Sequence, residues 1–228
     1  MLNINEFCMR LVGSMSSYLR DRNALNLLTQ NETSCKAIIK TCIDIEPDYV
    51  VEIGTNYGLS TLSLAYALKF LGKEVSDLTT IDISHDHWKN ETPGIQQDVL
   101  GPNGINIYGI KTVTEDFIKL HPEPFMREGK VLVFYDIHDT EDVSYAQKFL
   151  DEWIPLFDYG HVLFHDFNIL GKNPWIRMDK KLPLSTAKHF SGLPFEGYKE
   201  CKVVIDWMNE THRKVRKIPQ TSIAGFQI

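Results

Sequence analysis

The chain has 228 residues, a length that suits one α/β domain with terminal additions and leaves little room for a second full domain. Hydrophobic residues make up 43% and charged residues 24%, values near globular averages that argue against a disordered, collagenous or coiled-coil chain. The net charge of -6 disfavours nucleic acid and anionic membrane surfaces as partners.

The first predicted element is an amphipathic helix between Ile4 and Leu28, where apolar residues recur at steps of three and four. Such an arm needs a surface to cover, which predicts either a homodimer or packing on its own domain. We assign residues 1–33 to the arm and 34–228 to the main domain. The opening residues lack the apolar run of a signal peptide or membrane helix, so a cytoplasmic address is expected. Four cysteines without CxxC spacing predict reduced, mostly buried thiols: Cys8, Cys35, Cys42 and Cys201.

A short helix with Thr33 and Ser34 as caps ends before Pro47. After it, short runs rich in β-branched and aromatic residues alternate with segments of helical period. The predicted strands are YVVEI, LTTIDI, INIYGI, VLVFYDI and HVLFHDF. Because these runs are apolar on successive positions, helices should cover both faces of the sheet. The sequence therefore predicts a doubly wound, mostly parallel α/β sheet with helices on both faces and an N-terminal helical arm.

The helices between and after the strands are predicted at Ser60 to Leu71, Thr114 to Leu120, Val143 to Phe157 and Lys199 to about His212. Residues 167–198 contain prolines and glycines at short intervals, which is typical of a long irregular loop. Loops of that length are often lids or binding loops, so this segment is expected on the substrate side. A terminal apolar run, SIAGFQI, completes the chain.

The pattern EIGTNYGLS places Gly54 and Gly58 between the end of a strand and the start of a helix. The GxGxxG dinucleotide fingerprint and the GxxxxGK[ST] phosphate loop both lose key residues here, so no pyrophosphate cradle is predicted. Asp82 closes the second strand 24 residues after Gly58, where a carboxylate can accept hydrogen bonds from ribose hydroxyls. The glycine turn and this acid together predict a nucleoside site.

Acidic side chains fall at or near four predicted strand ends: Glu52, Asp82, Asp136 and Asp166. In open α/β sheets, ligands bind beyond the carboxyl ends of the strands, so these acids predict the rim of a site. The alternative for each one is a helix cap or a solvated turn carboxylate.

The motifs EIGTNYGLS, TTIDIS, VLVFYDIHD and HVLFHDF, in this order over about residues 34 to 166, resemble the signature strands of class I S-adenosylmethionine-dependent methyltransferases. The chain is most similar to their small-molecule O-methyltransferases, which include catechol-type, macrolide-sugar and cephalosporin-hydroxylase-like members. The resemblance implies a Rossmann-like sheet and methyl transfer from S-adenosylmethionine to a hydroxyl of a small molecule, such as a sugar or a secondary metabolite.

The resemblance also implies roles for individual residues. Asp82 would hold the ribose, and Asp136 would lie beneath the sulfonium. The segment TVTED would approach adenine, with the choice open between Thr112, Val113 and Glu115. The methionine part of the cofactor would be lined by Glu52, Gly54, Asn56, Gly58 and Ser60.

Several of those relatives bind a divalent cation through residues that correspond to Asp136, His165 and Asp166. The metal-dependent relatives present oxygen donors suited to magnesium, whereas the nitrogen donor of His165 is better suited to manganese, iron or zinc. Asn168 is a spare oxygen ligand nearby. The alternative is that His165 is a hydrogen-bonded histidine at the rim.

Methyl transfer to oxygen requires a group that takes the proton of the acceptor hydroxyl. The resemblance points to Asp139, three residues after Asp136, whereas His138 has the side chain better tuned to neutral pH. The choice stays open. A bound cation is a third route, because it lowers the pKa of the substrate hydroxyl.

Two other functions stay open: a noncatalytic nucleoside-binding scaffold subunit, and a metal-dependent hydrolase or hydroxylase-like enzyme that uses the three candidate metal ligands. Trp88 and Trp175 lie in irregular segments and are candidates for substrate contact. His85 and His87 follow Asp82 closely, so one of them is a candidate contact at the cofactor rim, although His-x-His in a turn is typical of a polar surface.

Overall fold

The structure is a computed structural model that describes residues 1–21, 32–86, 88, 95, 99–137, 143–165, 167–169, 175–176, 187–189, 199–211, 215–218 and 223–228. The chain divides into two compact units. The first unit comprises Met1–Glu46 and Gly54–Glu115, and the second comprises Pro47–Ile53 and Asp116–Ile228. The predicted division between residues 33 and 34 stays a prediction.

Helices and strands alternate along most of the chain. The helices are α1 (Ile4–Asp21), α2 (Glu32–Ile45), α3 (Leu59–Phe70), α4 (Ser144–Lys148) and α5 (Lys199–Glu210). The strands are β1 (Tyr49–Ile53), β2 (Leu78–Asp82), β3 (Lys111–Thr114), β4 (Lys130–Tyr135), β5 (Tyr159–Phe164), β6 (Phe167–Ile169), β7 (Trp175–Ile176), β8 (Ala187–His189), β9 (Val215–Lys217) and β10 (Ala224–Gln227).

Helices α1, α2 and α3 form the core of the first unit. The ring of Phe7 in α1 stacks on Tyr66 in α3, with the ring centroids 4.1 Å apart. The Tyr66 hydroxyl donates a hydrogen bond of 2.5 Å to the Leu2 carbonyl. The apolar face of α1 is buried, with Phe7, Cys8, Leu11 and Met15 each at most 2% exposed. The predicted arm therefore packs on its own unit, and the homodimer stays a prediction.

Strands β2 and β3 form a parallel pair in the first unit, in register from Thr79–Lys111 to Asp82–Thr114. The strand predicted over INIYGI is wrong. Its isoleucines are buried, but a 3₁₀ turn over Ile107–Gly109 carries the chain there. The side chain of Asn106 begins this turn by accepting a hydrogen bond from the Tyr108 N–H at 3.1 Å. The closely spaced isoleucines of this segment are thus buried by a turn rather than by a strand.

The helix predicted from Thr114 to Leu120 is also wrong, because that segment contains only one 3₁₀ turn, Phe117–Lys119. Asp116 begins the turn by accepting a hydrogen bond from the Ile118 N–H at 3.2 Å. The helix predicted from Val143 to Phe157 is present in three parts. These are α4, a π-helical turn over Phe149–Trp153 and a 3₁₀ turn over Ile154–Leu156.

The second unit is built on β1, β4 and β5, which run parallel, with Ile53 opposite Tyr135 and Tyr135 opposite Phe164. Every residue of β1 is buried, as expected for a strand covered on both faces. The terminal apolar run forms β10, which pairs antiparallel with β5. Strand β9 pairs antiparallel with β10, and β7 with β9.

The segment predicted as a long irregular loop contains short strands where it is described. Strands β6 and β8 pair antiparallel, with Phe167 opposite His189 and Ile169 opposite Ala187. Within the described ranges, no helix has both the length and the apolar character that crossing a membrane requires.

Candidate functional site

The chain makes a tight turn over 54–58, directly before α3. Three of its residues have left-handed backbones: Gly54 at φ 98°, Asn56 at 46° and Gly58 at 83°. The Gly54 N–H donates to the Ile81 carbonyl, and the Gly58 N–H donates to the Thr55 carbonyl, both at 2.8 Å. Glycine adopts this conformation without steric cost, which explains the two glycines of the motif. These two main-chain hydrogen bonds help to hold the turn.

The carboxylate of Asp82, at the end of β2, lies against this turn. Its Oδ2 atom accepts hydrogen bonds from the Thr55 N–H at 2.7 Å and the Asn56 N–H at 2.9 Å. Its Oδ1 atom accepts one from the Ser84 N–H at 3.2 Å. Beneath it, the hydroxyls of Thr55 and Thr80 are hydrogen-bonded at 2.5 Å. The structure thus brings the predicted ribose acid and the predicted glycine turn together within the first unit.

Gly58 is the N-cap residue of α3 and lies against the indole of Trp88. A Cβ atom at Gly58 would be 2.3 Å from two carbons of that ring. Trp88 is only 3% exposed, so this candidate for substrate contact is buried against the start of α3. Glycine is therefore required at position 58 both by its positive φ and by the neighbouring ring.

The other residues predicted to line the methionine part differ in exposure. Asn56 is exposed, Ser60 is 2% exposed in the first turn of α3, and Glu52 is fully buried in β1 of the second unit. Their contacts with a cofactor, and those of Gly54 and Gly58, stay predictions.

Two residues that follow β2 differ from the sequence analysis, since Ile83 was not predicted as part of the site and His85 was expected at the surface or at the cofactor rim. Ile83 follows Asp82 directly and is 69% exposed, which makes it a candidate apolar surface for a purine base. His85 is 1% exposed, and its Nε2–H donates to the Val113 carbonyl at 2.9 Å. The expectation that His85 lies at the surface is therefore wrong, because this hydrogen bond lets the ring be buried beside β3. In the sequence, Ile83 could have been singled out as a large apolar residue at a turn position that is usually polar.

Asp136 and His165 form a hydrogen-bonded pair in the second unit, at the ends of β4 and β5. The His165 Nδ1–H donates to Asp136 Oδ1 at 2.8 Å. The His165 side chain is 1% exposed and that of Asp136 is 15% exposed. Main-chain bonds fix both residues, from the Asp136 N–H to the Ile53 carbonyl and from the His165 N–H to the Tyr135 carbonyl. The carboxylate therefore sets the ring orientation, and in the neutral imidazole it places the proton on Nδ1 and the lone pair on Nε2.

This pair fits one part of a metal site. A histidine that ligates a metal almost always donates its other ring N–H to a carboxylate, carbonyl or water, as His165 does to Asp136. A metal ion would then be held through Nε2. Among the residues that the structure describes, no group of three or more His, Cys, Asp or Glu side chains is arranged to hold a metal ion.

The remaining predicted residues of this site lie outside the described residues: the third metal ligand Asp166 and the candidate bases His138 and Asp139. The side chain of Asn168 is also not described, although its backbone belongs to β6. Their assignments stay predictions.

No protein-family model matches the chain, and no curated protein matches its sequence. Solved structures do match its fold. The SAH-bound Podospora anserina methyltransferase PaMTH1 is similar with a TM-score of 0.58 and 14% identity, over 95% of this chain and 86% of that chain. Cofactor-bound Rv0187 from MTB is similar with a TM-score of 0.58 and 16% identity, over 94% of this chain and 88% of that chain. A candidate caffeoyl-CoA O-methyltransferase from Staphylococcus aureus is similar with a TM-score of 0.58 and 13% identity, over 93% of this chain and 90% of that chain.

These similarities show the fold. The chain has the mixed α/β, Rossmann-like fold of methyltransferases, with a mostly parallel sheet and helices around it, as the sequence predicts.

Proposed function

We propose that the chain is an S-adenosylmethionine-dependent methyltransferase that transfers a methyl group to a hydroxyl of a small molecule, such as a sugar or a secondary metabolite. The observation that carries the proposal is the contact between the left-handed turn at 54–58 and the Asp82 carboxylate. It occurs on a fold shared with an SAH-bound methyltransferase and with cofactor-bound Rv0187. The four-residue spacing of Gly54 and Gly58 does not fit the GxGxxG dinucleotide fingerprint, and the turn lacks the lysine of a phosphate loop, which favours a nucleoside without phosphate.

In this proposal the first unit binds the nucleoside half of the cofactor. Asp82 accepts a hydrogen bond from the ribose, and the exposed Ile83 side chain covers one face of adenine. Gly54 and Asn56 let the methionine part approach the main chain closely. When bound, S-adenosylmethionine supplies an electrophilic methyl group on a positively charged sulfur.

The second unit supplies the group that takes the proton of the acceptor hydroxyl. His138 and Asp139 are the proposed bases, and they follow β4 directly in the chain. A divalent cation, Mg, Mn, Fe or Zn, is the proposed assistance, with His165 and Asp166 as its ligands. Asp136, predicted as a third ligand, accepts a hydrogen bond from Nδ1 on the opposite side of the ring from Nε2, so its proposed role is to orient the imidazole. The hydrogen bond from His165 to Asp136 orients the imidazole before any ligand arrives, which lowers the ordering cost of binding.

Calorimetric titration with S-adenosylhomocysteine tests the nucleoside half. We expect one-to-one binding by the wild-type chain and a loss of at least about tenfold in affinity for Asp82→Ala, because hydrogen bonds to a charged group are removed. Asp86→Ala is the matched control, since it removes an exposed carboxylate four residues away. Absence of binding by the wild-type chain contradicts the proposal.

The same titration with a chelator, and then with magnesium, manganese or zinc, tests the cation. We expect the metal to change the binding enthalpy in the wild-type chain and not in His165→Ala. Binding of S-adenosylhomocysteine that is indifferent to metal and chelator contradicts the cation site and leaves the nucleoside site intact.

A further inference from the structure

Strand β3 has one side that is not used within the first unit. It pairs with β2 on the other side, and among the described residues no strand pairs with its outer side. All residues from Lys111 to Glu115 are exposed except Val113, which is partly buried. An accessible strand edge of this kind is a template on which another strand can pair.

The hydrogen bonds between β3 and β2 show which main-chain groups face outward. The Glu115 N–H donates to the Asp82 carbonyl at 2.9 Å, and Thr114 lies opposite Asp82 in the register. Along a strand, the N–H and C=O groups of one residue point to one side, and those of its neighbours point to the other side. Those of Glu115 and Val113 therefore face β2. The N–H and C=O groups of Thr112 and Thr114 face outward.

A second copy of β3, running antiparallel, pairs with all of these outward groups. If Val113 lies opposite the partner's Val113, then Thr112 lies opposite the partner's Thr114. Two residues that face each other in this way exchange both of their main-chain hydrogen bonds. The same exchange occurs a second time, between Thr114 and the partner's Thr112. No outward N–H or C=O group of β3 is then left over.

The two neighbouring registers fit less well. A shift that puts Thr112 opposite the partner's Thr112 requires the Ile110 N–H, which already donates to the Ile107 carbonyl at 3.1 Å. A shift that puts Thr114 opposite the partner's Thr114 requires main-chain groups of Asp116, which lies beyond the end of β3 and in the second unit. The register centred on position 113 requires neither.

The charges of the edge favour the same register. Lys111, Val113 and Glu115 are alternate residues, so they lie on one face of the strand. In the pairing centred on position 113, Lys111 lies opposite the partner's Glu115 at both ends. Opposite charges placed directly across an antiparallel pair stabilise it, whereas like charges destabilise it. The edge is thus complementary to a second copy of itself in both hydrogen bonding and charge.

We propose that the outer edge of β3 is a homodimer interface, at which two copies of the chain pair antiparallel with Val113 at the two-fold axis. The partner is a second copy because the edge is complementary to itself. The pairing uses the outer edge of both copies, so it closes at a dimer and does not extend into a fibre. This interface does not depend on the proposed function.

Sedimentation velocity of the full chain, at protein concentrations up to about 1 mM, tests the dimer. We expect the wild-type chain to show a reversible equilibrium between monomer and dimer. Lys111→Glu and Glu115→Lys should each weaken the dimer at least about tenfold, because each variant places like charges opposite one another. Lys40→Glu is the matched control, since it makes the same charge change at an exposed position of α2 and should leave the dimer unchanged.

Mixing the two weakened variants tests the register. When Lys111→Glu pairs with Glu115→Lys, both contacts again join opposite charges, so we expect the mixture to dimerise within about threefold of the wild-type affinity. A wild-type chain that stays monomeric up to about 1 mM overturns the proposal. Dimerisation that neither variant weakens overturns it as well, since the copies then join through another surface. So does a mixture that dimerises no more tightly than the separate variants.

Val113→Cys tests the two-fold axis directly. Residues that face each other in a non-hydrogen-bonded antiparallel pair have Cα atoms about 4.5 Å apart, a distance that a disulfide can span. We expect Val113→Cys to form an inter-chain disulfide in oxidised glutathione. Thr112→Cys is the matched control, because the two substituted positions lie diagonally across the pair and too far apart for a disulfide.

The wild-type chain gives the background from the native cysteines in this experiment. Cross-linking of Val113→Cys that does not exceed this background overturns the proposed axis. Equal cross-linking of Val113→Cys and Thr112→Cys overturns it too, because the register then is not the one centred on position 113.

Discussion

The two units hold their strand-end acids in different ways. In the first unit, Asp82 is held by three main-chain N–H groups. In the second unit, Asp136 is held by a side chain, the imidazole of His165. Every residue except proline carries a main-chain N–H, so its use depends on backbone conformation, whereas an imidazole requires one residue type at one position. The proposed nucleoside side is thus specified by the shape of the turn, and the proposed acceptor side by residue identity.

Replacing Gly58 by alanine should have the largest effect, because it acts on the turn in two ways. The positive φ costs about 1–2 kcal/mol for a residue with a Cβ atom. The clash with Trp88 costs about 1–3 kcal/mol more. We expect urea denaturation to show a loss of about 3 kcal/mol in the free energy of unfolding.

Gly72→Ala is the control for the clash. Gly72 has a similar φ of 74°, but a Cβ atom there would meet nothing within 4 Å. We expect this variant to lose only the backbone part, about 1–2 kcal/mol. Equal losses at the two glycines contradict the role of the Trp88 contact.

Asp136→Ala acts on the side-chain pair of the second unit. It leaves the buried Nδ1–H of His165 without its carboxylate, which costs about 1–3 kcal/mol. We expect urea denaturation to report that loss. Asp151→Ala, at an exposed helical position, should stay within about 0.5 kcal/mol of the wild-type chain. If both variants match the wild-type chain, the pair does not stabilise the second unit.

Alkaline pH should lower the free energy of unfolding of the first unit, because the unit contains buried thiols. Burial raises the pKa of Cys42 from 9.0 to about 12. Between pH 9 and about 12 the Cys42 thiol therefore keeps its proton in the folded state but loses it in the unfolded state. As far as this thiol is concerned, the free energy of unfolding is highest below pH 9 and falls as the pH rises from 9 to about 12. Within that window we expect the free energy of unfolding to fall by about 1.4 kcal/mol per pH unit for this thiol.

Cys42→Ala is the test variant for this pH dependence. Its free energy of unfolding, measured from pH 8 to 10.5, should fall less steeply than that of the wild-type chain above pH 9. Equal slopes would contradict the assignment.

Asn56 should give the smallest effect. Asparagine tolerates a φ of 46° better than most residues do, and a β-branched residue tolerates it poorly. We expect Asn56→Val to lose about 1–2 kcal/mol and Asn56→Gly to stay within about 0.5 kcal/mol of the wild-type chain. Thermal unfolding of the two variants measures the difference. Similar melting temperatures would mean that the left-handed conformation is not maintained.

Much of the fold could be predicted from the sequence, because burial on both faces leaves a continuous apolar run. Strands β1, β4 and β5 have such runs, whereas β2 reads LTTID and is marked by its β-branched residues. Strand β3 has no such run, since only Val113 of its four residues is even partly buried. The apolar run just before it reaches the core through a turn, so a rule based on apolar runs misplaces the strand.

The candidate site was predictable where local rules apply. Glycines that need a left-handed backbone and an acid at a strand end follow from spacing alone, which identified the turn at 54–58 and Asp82. The partners of these residues could not be found in this way. The contacts of Trp88 with Gly58, and of His85 with Val113, join residues 30 and 28 positions apart. No local pattern encodes them, and a His-x-His-Trp sequence in a turn is typical of a polar surface.

Because Trp88 contacts Gly58, the fluorescence of its indole can report on the turn at 54–58. The indole touches the residue that begins α3, so a ligand that shifts the conformations of the turn changes the surroundings of the ring. Replacing the other three tryptophans, Trp153, Trp175 and Trp207, by phenylalanine would leave Trp88 as the single source of indole fluorescence. Occupancy of the turn then becomes readable from emission in dilute solution, without a label and without knowledge of the acceptor.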